Sequence, residues 1–171
     1  SGKVGALLFL DLDHFKDLND TLGHEVGDEL LQEVAQRLLA NVRVADTVAR
    51  LGGDEFVVML SELSTSTQEA AAMAQRIGEK ILRGLSEPYL LRGHSHQGAV
   101  SIGATLFGAS AQSAIELLRQ ADIAMYQVKA RRGNALCFFD LKMQTAINDR
   151  AQLEADLRQA PVAQQLVLHY P

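Results

Sequence analysis

The sequence predicts an α/β fold, an α+β sandwich in which helices flank a mixed, mainly antiparallel central sheet. The continuous apolar run at 6–10 is typical of a central strand that is covered on both faces. A Gly-Gly pair lies between two segments of strand composition, 47–51 and 56–60, and this arrangement predicts a β-hairpin. Long segments with apolar residues at helical spacing alternate with the strands, so helices can cover the sheet.

The order of the elements follows from apolar spacing and from glycine and proline positions. A turn-rich stretch after the first strand leads to a helix with an apolar stripe from Leu30 to Leu39. Asp28 and Glu29 are expected in its first turn, where the helix dipole favours acids. In chain order, the sequence predicts a strand at 6–10, this helix, the hairpin at 47–60, a helix at 68–85 that ends before Pro88, strands at 89–92 and 99–105 joined by a loop, a helix at 113–131 and a strand at 135–139.

Length and composition indicate a globular protein. The chain has 171 residues, 47% hydrophobic and 22% charged, and its formal net charge is −5. The negative charge argues against a general nucleic-acid-binding surface. No apolar run approaches the ~20 residues of a membrane span, and the first residues lack the features of a signal peptide. We therefore expect a cytoplasmic domain without a membrane segment, within a parent protein that could itself be membrane-attached.

The character of the sequence changes near Leu141. Apolar residues such as Met143, Ile147 and Leu153 then alternate with charged ones in an amphipathic pattern, and residues 165–170 have strand composition. A lone strand without partners is typical of the beginning of a further domain. The sequence thus predicts one domain at 1–140, followed at 141–171 by a linker helix and a first strand.

Three carboxylates are candidates for a metal site. Asp11 ends the first strand, and Asp54 and Glu55 follow Gly52 and Gly53 of the hairpin. If these strands are neighbours, the acids point out of one edge of the sheet, and carboxylates without histidines or thiols suit Mg²⁺ or Mn²⁺. Magnesium takes further ligands from substrate phosphates, so a nucleoside triphosphate is the natural ligand. An ordinary hairpin tip with solvated charges is the alternative at this stage.

Other polar residues are candidates for contacts with a nucleotide. Lys16 follows the first strand, and Lys129 and Arg132 lie near the end of the last helix, where they could bind phosphates. Asn19 and Asp28 could read the base, because a carboxylate accepts the two donors of guanine and would be left unpaired by adenine. Solvated surface charges, a turn asparagine and a helix-start aspartate are the simpler alternatives.

Several ordered motifs resemble those of a known family. The motifs are DLDHFKDLNDTLGH at 11–24, GD at 27–28, RLGGDEF at 50–56, SIG at 101–103 and ADIAMYQVK at 121–129. With them, the chain resembles the GGDEF family, the diguanylate cyclase domains, over residues 4–140. The number and the order of the motifs make the resemblance specific.

The resemblance implies a fold like the palm of nucleotide cyclases and polymerases, and a reaction that joins two GTP molecules into cyclic di-GMP and releases two pyrophosphates. It implies that two Mg²⁺ or Mn²⁺ ions are held by Asp11, the Leu12 carbonyl, Asp54 and Glu55, and that Asp54 or Glu55 helps to activate the attacking 3′-hydroxyl. One ion would lower the pKa of that hydroxyl, and the other would neutralise charge on the leaving pyrophosphate. The residues assigned to GTP binding are Phe15, Lys16, Asn19, Asp28, Gly52, Gly53, Lys129 and Arg132.

The resemblance also implies partners and regulation. Each domain would hold one GTP, so the active enzyme would be a homodimer. Arg43 and Asp46 match the Arg-x-x-Asp site of inhibition by the product, and an arginine can donate two hydrogen bonds to guanine. A surface ion pair is the alternative for these two residues.

Two departures from the family pattern accompany the resemblance. The family has an arginine where this chain has Gly133, so Arg131 or Arg132 is expected to bind phosphate instead. The family's usual segment before the first strand is also missing here. The residues at 141–171 resemble the entrance to an EAL domain, the cyclic di-GMP phosphodiesterase family.

Two other functions stay open from the sequence. The domain could bind GTP or cyclic di-GMP without turnover and regulate a phosphodiesterase in the same protein, as Gly133 and the EAL entrance favour. It could also be a plain α/β interaction domain that binds no GTP. The unbroken motif at 52–56 favours the active cyclase.

Overall fold

The computed structural model describes residues 2–108, 112–140, 152–153 and 155–159. The chain divides into two compact units, Ser1–Phe139 and Asp140–Pro171. The elements of the first unit are β1 (Val4–Leu12), α1 (Phe15–Leu22), α2 (His24–Ala40), β2 (Thr47–Gly52), β3 (Glu55–Ser64), α3 (Thr67–Ser86), β4 (Tyr89–Leu91), β5 (His94–His96), β6 (Val100–Phe107), α4 (Ala114–Ala130) and β7 (Ala135–Phe138). Across the described ranges, no helix has the length and apolar character needed to cross a membrane.

The main sheet has five strands in the order β2-β3-β1-β6-β7. β1 is central and pairs antiparallel with β3 and β6, β2 pairs antiparallel with β3, and β6 pairs parallel with β7. β4 and β5 form a separate two-stranded sheet. The predicted mixed, mainly antiparallel sheet flanked by helices is therefore confirmed.

Both faces of β1 are buried, which explains its continuous apolar run. On one face, Leu8 and Leu10 belong to the larger core cluster, which also includes residues of α2 and α3. On the other face, Leu7 and Phe9 pack with Ala121 and Met125 of α4. Side chains alternate between the two faces of a strand, so this one apolar run packs against α2 and α3 on one face of the sheet and against α4 on the other.

α4 approaches the sheet at Gly103 of β6. A Cβ on this glycine would overlap the backbone oxygen of Ala121 and the backbone nitrogen of Met125. Thr105, two residues along the same strand, donates from its hydroxyl to Gln120 Oε1 at 2.8 Å inside the core. Close backbone packing and this buried hydrogen bond fix the position of α4 on the sheet.

The helical region after β1 differs from the sequence prediction. The turn-rich stretch contains α1, which buries only Leu18 and so shows little apolar periodicity. α1 ends at Gly23, whose φ is 94° and whose N–H donates to the carbonyl of Asn19, and α2 begins at the next residue. Asp28 consequently lies in the second turn of α2, and the acid in its first turn is Glu25. The prediction that Asp28 and Glu29 lie in the first turn was wrong.

The connection between β4 and β6 also differs from the prediction. The predicted loop contains β5, which pairs with β4 across a turn at Arg92 and Gly93, whose φ angles are 48° and 81°. Arg92 reaches from this turn to Glu25 and Glu29 of α2, with ion pairs of 2.5 and 2.6 Å. A three-residue strand of His-Ser-His composition carries no apolar signal, which is why the sequence did not indicate it.

In the second unit, 152–153 and 155–159 are helical, within the segment where the sequence predicts a helix. The predicted strand at 165–170 lies outside the described residues.

Candidate active site

β1 and β3 bring the candidate metal-binding acids to one edge of the sheet. Asp11 lies opposite Glu55 in the register of the two strands. The N–H of Leu12 donates to the carbonyl of Asp54 at 3.2 Å, beside the hairpin tip. Asp54 is also close enough to Asp11 for the two carboxyl groups to interact. The three acids thus share one edge, as the neighbouring strands require.

The hairpin tip differs in detail from a Gly-Gly turn. Gly52 ends β2 with φ 149° and pairs with Glu55, so the residues between the strands are Gly53, with φ 50°, and Asp54. Arg50 Nε donates to the carbonyl of Gly53 at 2.9 Å and braces the turn. A Cβ on either glycine would meet no atom within 4 Å. Glycine therefore satisfies the positive φ angles here, and the space above the turn is open to a ligand.

Asp11 is the most strongly perturbed acid of this edge. Its side chain is only 13% exposed, and Lys129 Nζ lies 2.7 Å from its Oδ1. Burial raises the pKa of Asp11 to about 6, with a further increase from Asp54, although the hydrogen bond from Lys129 acts in the opposite direction. Ionising Asp11 is costly because the carboxyl group is buried and lies beside a second carboxylate. A nearby cation would therefore stabilise its charged form.

The raised pKa of Asp11 predicts how the metal-free protein responds to pH. The folded state holds the Asp11 proton more tightly than the unfolded state, whose value is near 3.8. This group's contribution to stability is therefore complete below about pH 4 and is lost as the pH rises through about 6. Relative to Asp11→Asn, the wild-type free energy of unfolding should fall across that window. Denaturant unfolding in a chelator at several pH values measures this, and parallel curves for the two proteins would contradict it.

The residues at this edge fit a magnesium-type ion. Asp11 and Asp54 offer carboxylate oxygens, and Leu12 could contribute only its backbone carbonyl, because its side chain is a hydrocarbon without a donor atom. Among the residues that the structure describes, no three His, Cys, Asp or Glu side chains form a metal cluster. A donor set of two carboxylates with open space beside it suits Mg²⁺ or Mn²⁺, which keep waters and bind substrate phosphates, better than zinc.

A second polar feature lies where α1 meets α2. The Oδ1 atom of Asn19 is buried, and within the described part of the chain it has no hydrogen-bond partner. The side chain packs so closely on Gly27 that a Cβ there would overlap Oδ1. Asp28, which follows Gly27, is exposed. A buried acceptor without a partner is costly, so a ligand that donates a hydrogen bond to Asn19 Oδ1 would be stabilised here.

The candidate phosphate contacts are spread over two elements. Phe15 and Lys16 begin α1, with Phe15 partly buried against the core and Lys16 exposed. Lys129 lies in the last turn of α4 against Asp11. Arg132 is exposed in the α4–β7 turn, with φ 88°. At Gly133, φ is 72° and a Cβ would lie 2.5 Å from Asp13 Oδ2, so this turn has no room for an arginine there.

Arg43 and Asp46 form an ion pair just before β2, at the end of the hairpin opposite to Asp54. Arg43 Nη2 lies 2.8 Å from Asp46 Oδ1 and also donates to the carbonyl of Ser61 at 2.7 Å. The side chain of Asp46 is 0% exposed, whereas that of Arg43 is 46% exposed. Burial alone would raise the pKa of Asp46, but hydrogen bonds from Arg43 and from the Ser61 backbone outweigh it and lower that pKa. Asp46 therefore holds Arg43 in place, and Arg43 is the residue that faces solvent.

Sequence reasoning missed the contacts of Asp13. Its carboxylate accepts from the Ser101 hydroxyl at 2.7 Å and from the Asn134 N–H at 2.9 Å. These partners are 88 and 121 residues away in the chain. The only local signal is the position of Asp13 two residues after Asp11, which does not reveal either partner.

Comparison with known proteins assigns the chain to a family. The model of the family described as "Diguanylate cyclase, GGDEF domain" matches residues 1–135. The chain belongs to the GGDEF family. This GGDEF domain is 46% identical over 165 residues to the bifunctional diguanylate cyclase/cyclic di-GMP phosphodiesterase MucR of Pseudomonas aeruginosa, covering 96% of this chain and 23% of MucR.

Further comparisons add a relative of different activity and a solved structure. The GGDEF domain is 41% identical over 169 residues to the cyclic di-GMP phosphodiesterase NbdA of Pseudomonas aeruginosa, covering 99% of this chain and 21% of NbdA. The chain therefore spans less than a quarter of these two relatives. It also matches the crystal structure of the GGDEF domain of DgcB from Caulobacter crescentus in complex with c-di-GMP, with a TM-score of 0.71 and 27% identity over 80% of this chain and 78% of that one.

Proposed function

We propose that this GGDEF domain is a diguanylate cyclase, which condenses two GTP molecules into cyclic di-GMP and releases two pyrophosphates. The observation that carries the proposal is the meeting of Asp11 with Asp54 at the open glycine turn, with Glu55 opposite Asp11 in the strand register. The unpartnered acceptor of Asn19 supports a polar nucleobase as part of the ligand. The relative MucR, which has diguanylate cyclase activity in its name, supports the same reaction.

Each residue of the site has a proposed role. Asp11, Asp54, Glu55 and the Leu12 carbonyl would hold Mg²⁺ or Mn²⁺, two ions in each site. When bound, the ions lower the pKa of the 3′-hydroxyl and neutralise charge on the pyrophosphate. Asp54 or Glu55 accepts the proton of the attacking hydroxyl, because a carboxylate at the hairpin tip can reach a ligand in the open space above Gly53.

The remaining contacts orient GTP. Lys129 and Lys16 would bind the triphosphate as point charges, and Arg132 would take the place of the family arginine at Gly133. Phe15, Gly52 and Gly53 would line the GTP-binding site. Asn19 and Asp28 would read guanine, whose N1–H and amino group are donors that Asn19 Oδ1 and the Asp28 carboxylate can accept. Adenine has no such pair of donors, so GTP is preferred to ATP.

The reaction requires two copies of the domain. The product contains two guanosine monophosphates, each attached through its own phosphate to the hydroxyl of the other. One chain has one glycine turn and one set of these acids, so two GTP-loaded domains must face each other. We propose a homodimer that forms at least during catalysis.

Product formation tests the proposed function directly. The protein is incubated with GTP and Mg²⁺, and nucleotides are separated by chromatography, with linear hydrolysis products of cyclic di-GMP counted as product. The proposal predicts cyclic di-GMP with GTP and none with ATP. GTP that is bound but never converted, at any protein concentration that permits dimers, would contradict it.

We also propose feedback inhibition at Arg43. Its guanidinium is half exposed, and Nε and Nη2 are held by Asp46 and Ser61, so Nη1 can donate to the acceptor edge of guanine without further ordering. The DgcB domain that this chain resembles was crystallised with c-di-GMP. The site lies at the far end of β2 from Gly52, ~17 Å away for a strand of this length, so it is separate from the catalytic acids.

Substitution of Arg43 tests the inhibitory site. Arg43→Ala should raise the concentration of added cyclic di-GMP needed for half inhibition by at least about tenfold, because the contact of Arg43 to guanine is lost. Arg76→Ala, which removes an exposed arginine from α3, is the matched control and should leave inhibition unchanged. Equal inhibition of the Arg43 variant and the wild type would contradict the site.

A second candidate function is a regulatory nucleotide-binding module. The 41% identical relative NbdA is named only as a phosphodiesterase, and Gly133 replaces a phosphate-binding arginine of the family. In this alternative, the domain binds GTP or cyclic di-GMP without turnover and regulates a phosphodiesterase domain of its own protein. GTP binding without product, together with GTP-dependent phosphodiesterase activity, would favour it.

We propose that the GGDEF domain occupies residues 1–140 and that 141–171 begins an EAL domain of a longer protein. The bifunctional name of MucR, which the chain matches over 165 residues, supports this organisation. We propose a cytoplasmic location for the domain, where GTP is available.

A further inference from the structure

Both oxygens of the Asp13 carboxylate accept a hydrogen bond from the protein. Its side chain is 8% exposed. Oδ1 accepts from the Ser101 hydroxyl on β6 at 2.7 Å, and Oδ2 accepts from the backbone N–H of Asn134 at 2.9 Å. The backbone N–H of Asp13 donates to the carbonyl of Ala99. Asp13 therefore links the end of β1 to β6 and to the turn between α4 and β7.

The turn that Asp13 holds has an unusual backbone. Three successive residues, Arg132, Gly133 and Asn134, have φ angles of 88°, 72° and 49°. Two of them are not glycine, and such angles are costly unless the surroundings fix them. Asn134 Oδ1 accepts from the Ser86 hydroxyl at 3.0 Å, and Gly133 packs against Asp13 itself. The hydrogen bond that the Asn134 N–H donates to Asp13 fixes this backbone together with these contacts and with the bond from the Gly133 N–H to the Val128 carbonyl.

The same turn carries one candidate phosphate contact and directly follows another. Lys129 lies in the last turn of α4, directly before it, with Nζ 2.7 Å from Asp11 and 4.0 Å from Asp13. Arg132 is part of the turn itself. Movement of the turn would shift Arg132 directly, and it would disturb the end of α4 that holds Lys129, because the Gly133 N–H donates to the carbonyl of Val128 at 2.9 Å.

We infer that Asp13 is a positioning residue, which anchors the α4–β7 turn so that Lys129 and Arg132 face the triphosphate, and that it is not a ligand of the metal ion. The inference rests on the proposed function, because it assigns the phosphates of GTP to these two residues. Asp11 and Asp13 share a sequence spacing that would suit two metal ligands. Their surroundings differ, because the Asp13 carboxylate accepts from Ser101 of β6 and from Asn134 of the α4–β7 turn, whereas the Asp11 carboxylate interacts with Asp54 of the hairpin tip.

Two substitutions of Asp13 distinguish positioning from metal binding. In Asp13→Asn, the amide oxygen can still accept from the Asn134 N–H and the amide nitrogen can donate to the Ser101 hydroxyl, so the turn stays anchored. Asp13→Ala removes both contacts. Asp17→Asn is the charge control, because Asp17 is an exposed acid of α1 that lies 3.5 Å from His14 Nδ1.

The first readout is the affinity for the α,β-methylene analogue of GTP, which cannot release pyrophosphate, divided by the affinity for GMP. Asp13→Ala should lower this ratio by about tenfold, because the groups that bind the outer phosphates are misplaced, while Asp13→Asn and Asp17→Asn should keep it within about threefold. A general loss of protein stability would weaken the binding of both nucleotides alike and would leave the ratio unchanged. An unchanged ratio in folded Asp13→Ala would overturn the inference.

The second readout is binding of Mn²⁺ alone, followed by paramagnetic resonance. Asp13→Asn should bind Mn²⁺ like the wild type, whereas Asp11→Asn should lose it. Equal losses in the two asparagine variants would make Asp13 a ligand and overturn the inference. If Asp13→Ala does not fold, Ser101→Ala replaces it, and a lowered nucleotide ratio supports the anchor while an unchanged ratio overturns it.

A third readout separates this inference from the proposed function. Hydrogen exchange of the Asn134 N–H needs no nucleotide, and Asp13→Ala should exchange this proton faster than the wild type. Failure of the wild type to bind the GTP analogue would end the proposed function and, with it, the phosphate role of the turn. If the wild type binds the GTP analogue but Asp13→Ala leaves the exchange rate of the Asn134 N–H unchanged, the positioning role of Asp13 is contradicted and the proposed function stands.

Discussion

Asp54→Ala is expected to abolish cyclic di-GMP formation, with a loss of about 10³-fold or more in kcat. Asp54 lies at the tip of the hairpin, interacts with Asp11 and accepts the N–H of Leu12 through its backbone carbonyl. The substitution removes the carboxylate and leaves that backbone hydrogen bond intact. The fold should therefore survive while the site loses a metal ligand, and product analysis with GTP and Mg²⁺ measures the effect.

A matched variant controls for the change in charge. Glu79→Gln removes a negative charge from the exposed side of α3, where Glu79 accepts a hydrogen bond from Gln75. We expect this variant to retain wild-type turnover. Measurable cyclic di-GMP synthesis by Asp54→Ala at the wild-type rate would show that the chemistry assigned to the hairpin tip is wrong.

Gly103→Ala is expected to give the largest loss of stability, about 3 kcal/mol or more in the free energy of unfolding. The added Cβ would overlap backbone atoms of Ala121 and Met125, which cannot rotate away as a side chain can. α4 would have to move off the sheet, and Lys129 at its end would move with it. Denaturant unfolding measures the loss, and we expect the KM for GTP to rise in any protein that stays folded.

The control for this substitution is another glycine at the end of the same strand. A Cβ on Gly108 would lie 3.5 Å from Val4 Cγ2, an ordinary contact, and its φ angle lies outside the positive region. Gly108→Ala should change the free energy of unfolding by less than about 1 kcal/mol. Equal destabilisation by the two substitutions would contradict the close packing of α4 on β6.

Much of the sheet could be predicted from local sequence. The run at 6–10 is apolar at every position because β1 is buried on both faces, and the hairpin strands flank glycines that a tight turn needs. α1 and β5 were missed for the opposite reason. α1 buries only Leu18, and β5 consists of His-Ser-His, so neither shows the periodicity on which such predictions rest.

The candidate site could be predicted only where its residues lie at strand ends. Asp11 and Asp54 follow recognisable strands, and neighbouring antiparallel strands place them on one edge. The role of Asp46 as an anchor of Arg43 depends on its complete burial, which local sequence does not indicate. The contacts of Asp13 and the unpartnered oxygen of Asn19 depend on packing between distant elements, so no local pattern reveals them.

The central claim is that Asp11 and Asp54 share a divalent cation that carries guanosine triphosphate. Crystals grown with Mn²⁺ and the α,β-methylene analogue of GTP test it most directly, through the anomalous scattering of manganese. We predict a manganese ion within about 2.3 Å of an oxygen of Asp11 and of Asp54, with an oxygen of the triphosphate as a further ligand. An analogue bound without a metal at these two carboxylates, or a metal held elsewhere on the domain, would contradict the account.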